Sequence, residues 1–217
     1  MAVIHGRFGR VRITAATPTS TTDLAADLST DGVSVIIADT TRRHWDPNST
    51  LHRVYGATTD AVLTDAYTVD YVRGRIVFST AHSTAVTYTV DAGWLPTSCL
   101  AVTKSWVLDV SNELIDATVF NCTAAASYRT FLPGLTDATI QLSRLAVSSE
   151  STGPPFIDRL AVHTPLFVEL MPNATGGDKW ECYARVQSNV HDWRVGELGQ
   201  ENITLKVDGP VYWTTAT

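Results

Sequence analysis

Alternation constrains this sequence most. In several stretches large apolar side chains fall on every second residue. Val86, Tyr88 and Val90 alternate with Thr87 and Thr89. Leu100, Val102, Trp106, Leu108 and Val110 share one parity, and Ala101, Thr103, Ser105 and Asp109 the other. Ile140 and Leu142 are interleaved with Thr139, Gln141 and Ser143. Trp180, Cys182, Ala184 and Val186 alternate with Lys179, Glu181, Tyr183 and Arg185, and Ile203, Leu205 and Val207 with Thr204, Lys206 and Asp208. A period of two sends successive side chains to opposite faces of a pleated strand, so each stretch predicts a half-buried antiparallel strand. β-branched Val and Thr supply the strand propensity. A chain patterned this way is not a helical bundle or a coiled coil, whose apolar residues recur every 3.5 to 3.6 positions or so.

Turn residues punctuate the strands. Tyr67 to Val72 and Arg75 to Ser79 read as a hairpin joined by Arg73-Gly74, where Gly can take a positive φ. Gly93, Pro96, Pro133-Gly134, Gly176-Gly177 and Gly209-Pro210 break the rest. Two segments carry helical features. Thr22 to Leu28 has a Thr at its N-cap position. Residues 154–162 open on Pro154-Pro155, and Ile157, Leu160 and Ala161 form one apolar stripe able to lie on a sheet. The Thr-rich stretch from Thr14 to Thr22 reads as a linker or loop. A boundary falls within Asp91 to Ser98, dividing an N-terminal β-rich domain, residues 1–95, from residues 96–217.

Composition narrows the surface. Of 217 residues only 18% are charged, and just three are lysines: Lys104, Lys179 and Lys206. The 44% apolar share excludes disorder. A formal net charge of −6 leaves no basic footprint for tight nucleic-acid binding. β-proteins that stay monomeric guard their sheet edges with Lys and Pro, so a chain this poor in Lys is expected to have its edges covered by something else. The N-terminus lacks the apolar run and cleavage site of a signal peptide, and no stretch reaches the roughly 20 apolar residues of a membrane helix. A cytosolic nascent chain without membrane contact is expected. Cys99, Cys122 and Cys182 are odd in number and widely spaced, which predicts free, buried thiols. Four sequons, at Asn48, Asn121, Asn173 and Asn202, are read as by-products of a Thr-rich composition.

No catalytic constellation stands out, and the chain is expected not to be an enzyme. The six histidines show no metal-ligand spacing, and no C-x-x-C, G-x-S-x-G, P-loop or dinucleotide fingerprint occurs. No metal and no cofactor are expected. His163 lies near Asp158 and His191 adjoins Asp192; each pair is either a base with its orienter or ordinary polar surface. Acids gather in two regions read as loops, Asp109, Glu113 and Asp116, then Asp192, Glu197 and Glu201. Such clusters are solvated hairpin loops, a calcium site without EF-hand spacing, or a surface that repels another polyanion. Trp106 and Trp180 sit on apolar strand faces and belong to the core. Trp45, Trp193 and Trp213 lie beside turns or polar residues, where they would stack on sugars or anchor subunit contacts.

One resemblance covers about half the chain. It is carried by Lys104 to Val110 with Ile115 to Phe120, by Phe131 to Leu142 with its G-x-x-D-x-T step, by Leu166 to Leu170, by Glu181 to Ser188, and by Glu201 to Val211 with its D-G ending. In order and character these stretches, within residues 99–213, resemble the tail tube (major tail) proteins of long-tailed bacteriophages. The resemblance implies a mainly β fold: an antiparallel β-sandwich or barrel-like core with one flanking α-helix. It also implies hexameric rings that stack into a hollow virion tail tube, with strands of the inner sheet closing around a lumen through which DNA passes without specific binding. The implied partners are further copies of itself and other phage tail proteins, such as the tape measure, terminator and baseplate hub. Asp109, Glu113, Asp116, Asp192, Trp193 and Glu197 are then the candidates for subunit contact or lumen. Arg42 to Pro47 and Ala66 to Phe78 look like a small β-domain found at the N-termini of some phage structural proteins, which would add a decoration to the core. Alternatives are another virion component (tail terminator, connector or decoration protein) and a carbohydrate-binding β-sandwich.

Overall fold

The computed structural model describes residues 9–14, 18–50, 52–56, 61–62, 67–83, 86–100, 102–116, 131–145, 165–173 and 177–215. These contain fifteen strands: β1 (Arg10–Thr14), β2 (Thr19–Leu28), β3 (Ser34–Ile37), β4 (Arg53–Gly56), β5 (Ala61–Val62), β6 (Tyr67–Asp70), β7 (Arg75–Phe78), β8 (Tyr88–Trp94), β9 (Thr97–Cys99), β10 (Thr103–Asp116), β11 (Phe131–Leu145), β12 (Leu166–Met171), β13 (Lys179–Asp192), β14 (Gln200–Val207) and β15 (Tyr212–Thr214). The described strand pairs are antiparallel, as the alternation predicts.

The strands form two sheets. The larger runs β10-β11-β14-β13-β12-β1-β9, with β15 also paired to β13. The smaller runs β5-β4-β8-β2-β3-β7-β6. The N-terminal strand therefore belongs with the C-terminal half of the chain: β1 pairs with β12 and β9. Residues from β11 round to β1 share one apolar cluster, including Ile140, Leu205, Val186, Cys182, Val168 and Val11. These strands therefore line one continuous apolar face.

β12 reads Leu166-Phe167-Val168-Glu169-Leu170, and its first five residues are all buried. The cause is two-sided packing. Leu166, Val168 and Leu170 point into the large sheet's core. Phe167 and Tyr183 point the other way and meet Val72 and Leu95 between the sheets. The Tyr183 hydroxyl donates to the Trp45 and Tyr71 carbonyls, tying β13 to the smaller sheet.

Several sequence expectations are corrected. Thr22 to Leu28 is strand, the end of β2, paired with β3 and β8. Its single buried side chain, Leu24, and its β-branched Thr22 suit a sheet better than the short helix a Thr cap suggested. Thr14 and Thr19 to Thr22 are likewise in strands, not in a linker. The β6–β7 turn spans four residues, 71–74, with Asp70 opposite Arg75. Gly74 has φ +58°, and a Cβ there would lie 2.4 Å from the Arg43 carbonyl oxygen. Cys182 is buried, and burial pushes its thiol up to about 12, but Cys99 is exposed. The second predicted helix (154–162), Cys122 and His163 lie outside the described residues.

Candidate assembly surface

The register defines a four-stranded unit, β10-β11-β14-β13. Leu108, Ile140, Leu205 and Val186 form one row across it, facing the core. The next row is Asp109, Thr139, Lys206 and Arg185, on the opposite face. Alternation thus gives the unit an apolar face and a polar one. On the polar face Lys206 pairs with Asp137, and Arg185 pairs with Asp208 at 2.8 Å.

On both sides this unit ends in an edge that no described strand pairs with. No described strand pairs with the outer side of the 14-residue β10. On the far side, β12 pairs with β13 only as far as Ala184, so residues 185–192 have β14 on one side and no described strand on the other. Such edges present unpaired N–H and C=O groups to another chain.

Two hairpins extend the unit at opposite ends. β14 stops at Val207, opposite Ala184, whereas β10 and β11 remain paired out to Asp116 and Phe131. About seven residues of β10 project past the sheet, roughly 20 Å at about 3.3 Å per residue. The alternation of β10 fails here: Val110 and Leu114 are exposed, as is Leu135 on β11. At the other end, the β13–β14 tip carries Trp193 (66% exposed), Leu198 (74%) and a fully exposed Val195. The Trp193 ring lies over Gly199, where a Cβ would come within 2.4 Å of it.

The six predicted site residues therefore fall in two places. Asp109, Glu113 and Asp116 are strand residues of β10 rather than loop residues; Asp109 and Glu113 are exposed. Asp192, Trp193 and Glu197 lie at the β13–β14 tip, all exposed, with Asp192 ion-paired to Arg194 at 3.1 Å. Glu201, read as a companion acid, is instead buried on β14 in an ion pair with Arg144. His191 faces that same carboxylate at 3.9 Å. Trp45 is completely buried, stacked on His52 at 5.1 Å, and is no platform for a sugar. Trp213 remains 39% exposed and packs on Trp180.

Sequence reasoning missed a buried ionic cluster between the sheets. Glu169 on β12 is fully buried. Lys179 Nζ lies 2.6 Å from it and 2.7 Å from Glu181. Arg12 approaches its second oxygen at 3.0 Å, and His44 Nε2 lies at 3.5 Å. His44 also stacks on Phe167 at 3.7 Å. Burial opposes the charge of Glu169, but hydrogen bonds from His44 and Lys179, with the Lys179 charge, outweigh it and hold the carboxyl at about 2. Burial likewise opposes the Lys179 charge, and its two carboxylate partners raise its pKa nonetheless. His44, Glu169 and Glu181 present ligand atoms within 4.8 Å of one another, the spacing of a metal site. Lys179 already sits between the two carboxylates, so a metal ion would have to displace an ammonium. The only sequence hint was Glu169, an acid inside an otherwise apolar strand.

No family model and no curated protein matches this chain. It is similar to a solved structure of the tail of an empty GTA particle with C6 symmetry, at 11% identity and TM-score 0.47, covering 55% of this chain and 87% of that one. It is also similar to a chain in the virion of a native gene transfer agent (GTA) particle, at 12% identity and TM-score 0.44, covering 55% and 89%. Among the described residues no helix is long and apolar enough to cross a membrane.

Proposed function

We propose that this chain is a virion structural protein of a phage-like particle and assembles into stacked hexameric rings that form a tail tube, the conduit for DNA ejection. The carrying observation is the four-stranded unit whose edge on each side no described strand covers. The edges differ: one is β10, the other residues 185–192 of β13. Pairing of unlike edges is heterologous, and it closes into a ring when the rotation per copy divides a full turn. Sheet continuation then satisfies the backbone groups of both edges, as in β-augmentation.

The polar face of the unit suits a channel for DNA. It presents Ser105, Asp109, Thr139, Gln141, Ser143, Thr204, Lys206 and Arg185, with Val107 and Val190 as exposed apolar residues among them. Both of these cations rest on carboxylates, so a passing phosphate backbone gains little by releasing counterions there. The smaller sheet, residues 19–94, lies outside the unit and would decorate the tube. Tape measure, terminator and baseplate hub proteins are the expected partners within the virion.

Electron microscopy of the purified chain at high concentration, and of the particle that carries it, tests this reading. Stacked six-fold rings with a central channel are expected. A single ring at the end of a tail would assign it to a terminator or connector instead. A strictly monomeric protein, absent from tails, would refute the assembly reading.

A further inference from the structure

We infer that the acidic, apolar β13–β14 tip of one copy docks in a guanidinium-lined groove at the other end of β13 in a second copy, making the contact between successive layers. This rests on the assembly reading and names its axial contact.

The groove lies between the two sheets and has a volume of about 530 Å³. Arg43, Arg73 and Arg75 line it from the smaller sheet, Lys179, Glu181 and Trp213 from the larger, with Glu181 already paired to Lys179 at 2.7 Å. The arginines have few close carboxylates, although Arg43 lies near enough to Asp39 to favour its charge. Arg43 donates to the Ile37 carbonyl at 2.8 Å, and Arg73 lies over the Tyr212 ring at 4.0 Å; neither forms an ion pair with a described carboxylate. Arg75 reaches Asp70 only at 3.4 Å, and its Nε is buried without a hydrogen-bond partner. Three guanidinium groups beside an exposed indole, in a chain of net charge −6, form a receptor for a carboxylate next to apolar or aromatic groups.

The β13–β14 tip offers that chemistry. Glu197 is exposed and forms no ion pair with a described residue, while Trp193, Val195 and Leu198 project beside it. Groove and tip also sit at opposite ends of one strand: Lys179 begins β13 and Asp192 ends it. Thirteen steps at about 3.3 Å separate them by roughly 40 Å. A knob at one end and its socket at the other repeat along an axis and form an open stack. They cannot be satisfied within one copy at that distance.

A charge swap tests the contact, using Arg73→Glu, Glu197→Arg and their mixture. Both positions lie in turns, and Arg73→Gln provides a milder second variant. At low salt each single variant is expected to form rings but to raise the critical concentration for stacking by about tenfold or more, as for a desolvated interfacial charge pair. Mixing preformed rings of the two charge-reversed chains should restore stacking with the variants in alternate layers, because every contact then pairs opposite charges. Wild-type stacks that all variants reproduce unchanged would overturn this contact and leave the tube reading standing. A wild-type chain that forms neither rings nor stacks would overturn both.

Discussion

Glu169→Gln isolates the buried cluster between the sheets. The substitution keeps the shape of the side chain and removes its charge. Lys179 retains Glu181, but Arg12 and His44 lose the carboxylate they face. Breaking a buried ion pair from one side costs about 3–5 kcal/mol. The carboxyl titrates at about 2 in the folded chain against a reference of 4.5. A depressed folded pKa stabilises above the unfolded value and stops doing so as pH falls through the folded one. Two and a half units at about 1.36 kcal/mol each come to about 3 kcal/mol, nearly all present above pH ~5 and more than half lost by pH ~3. Where the carboxylate charge holds the cluster together, the loss is acid-labile. Urea unfolding of both proteins, at concentrations too low for assembly and at several pH values between ~7 and ~3, measures the gap. The gap should be about 3 kcal/mol at neutral pH and shrink steadily below pH ~5. A gap that is absent at neutral pH, or that stays constant into acid, would refute the account of Glu169 as the charged centre of the cluster.

Three further outcomes are expected. Gly74→Ala should lower stability by at least about 1–3 kcal/mol in urea or thermal unfolding, because a Cβ at positive φ meets the Arg43 backbone. Trp45→Ala should cost about 3–5 kcal/mol, since the ring is wholly buried, whereas Trp193→Ala should change monomer stability by less than about 0.5 kcal/mol while impairing stacking in sedimentation. Tyr183→Phe removes the hydroxyl that donates to the Trp45 and Tyr71 carbonyls; a loss of about 1–3 kcal/mol is expected, with faster amide exchange at both ends of the contact.

The strands of the core were readable because their signal is local. Ile140, Leu142, Ile203 and Leu205 alternate with polar residues, and each faces the large sheet's core. The same rule fails in β10 beyond Leu108. Val110 shares its parity but is exposed, because β14 and β13 do not reach that far and nothing described covers the hairpin. Trp45 failed in the other direction. Its neighbours Arg42, Arg43 and Asp46 suggest surface, yet a bridge to Trp94 and a stack on His52 enclose it. Neither contact leaves a periodic trace.

What the sequence alone determined is the class of structure and which residues of the alternating core strands share a face. A period of two is set by the pleat, so it survives whatever the strands pair with. The tertiary structure decided which edges stay open, which charges are buried and which end of β13 meets the smaller sheet. These depend on residues far apart in the chain: Tyr183 and Trp45 are 138 positions apart, and Arg12 reaches Glu169 only because β1 pairs with β12. A chain this poor in lysine predicts edges covered by something else. Only the strand order shows that they lie on opposite sides of one four-stranded unit, because edge or interior is a property of neighbours and not of a strand's own residues.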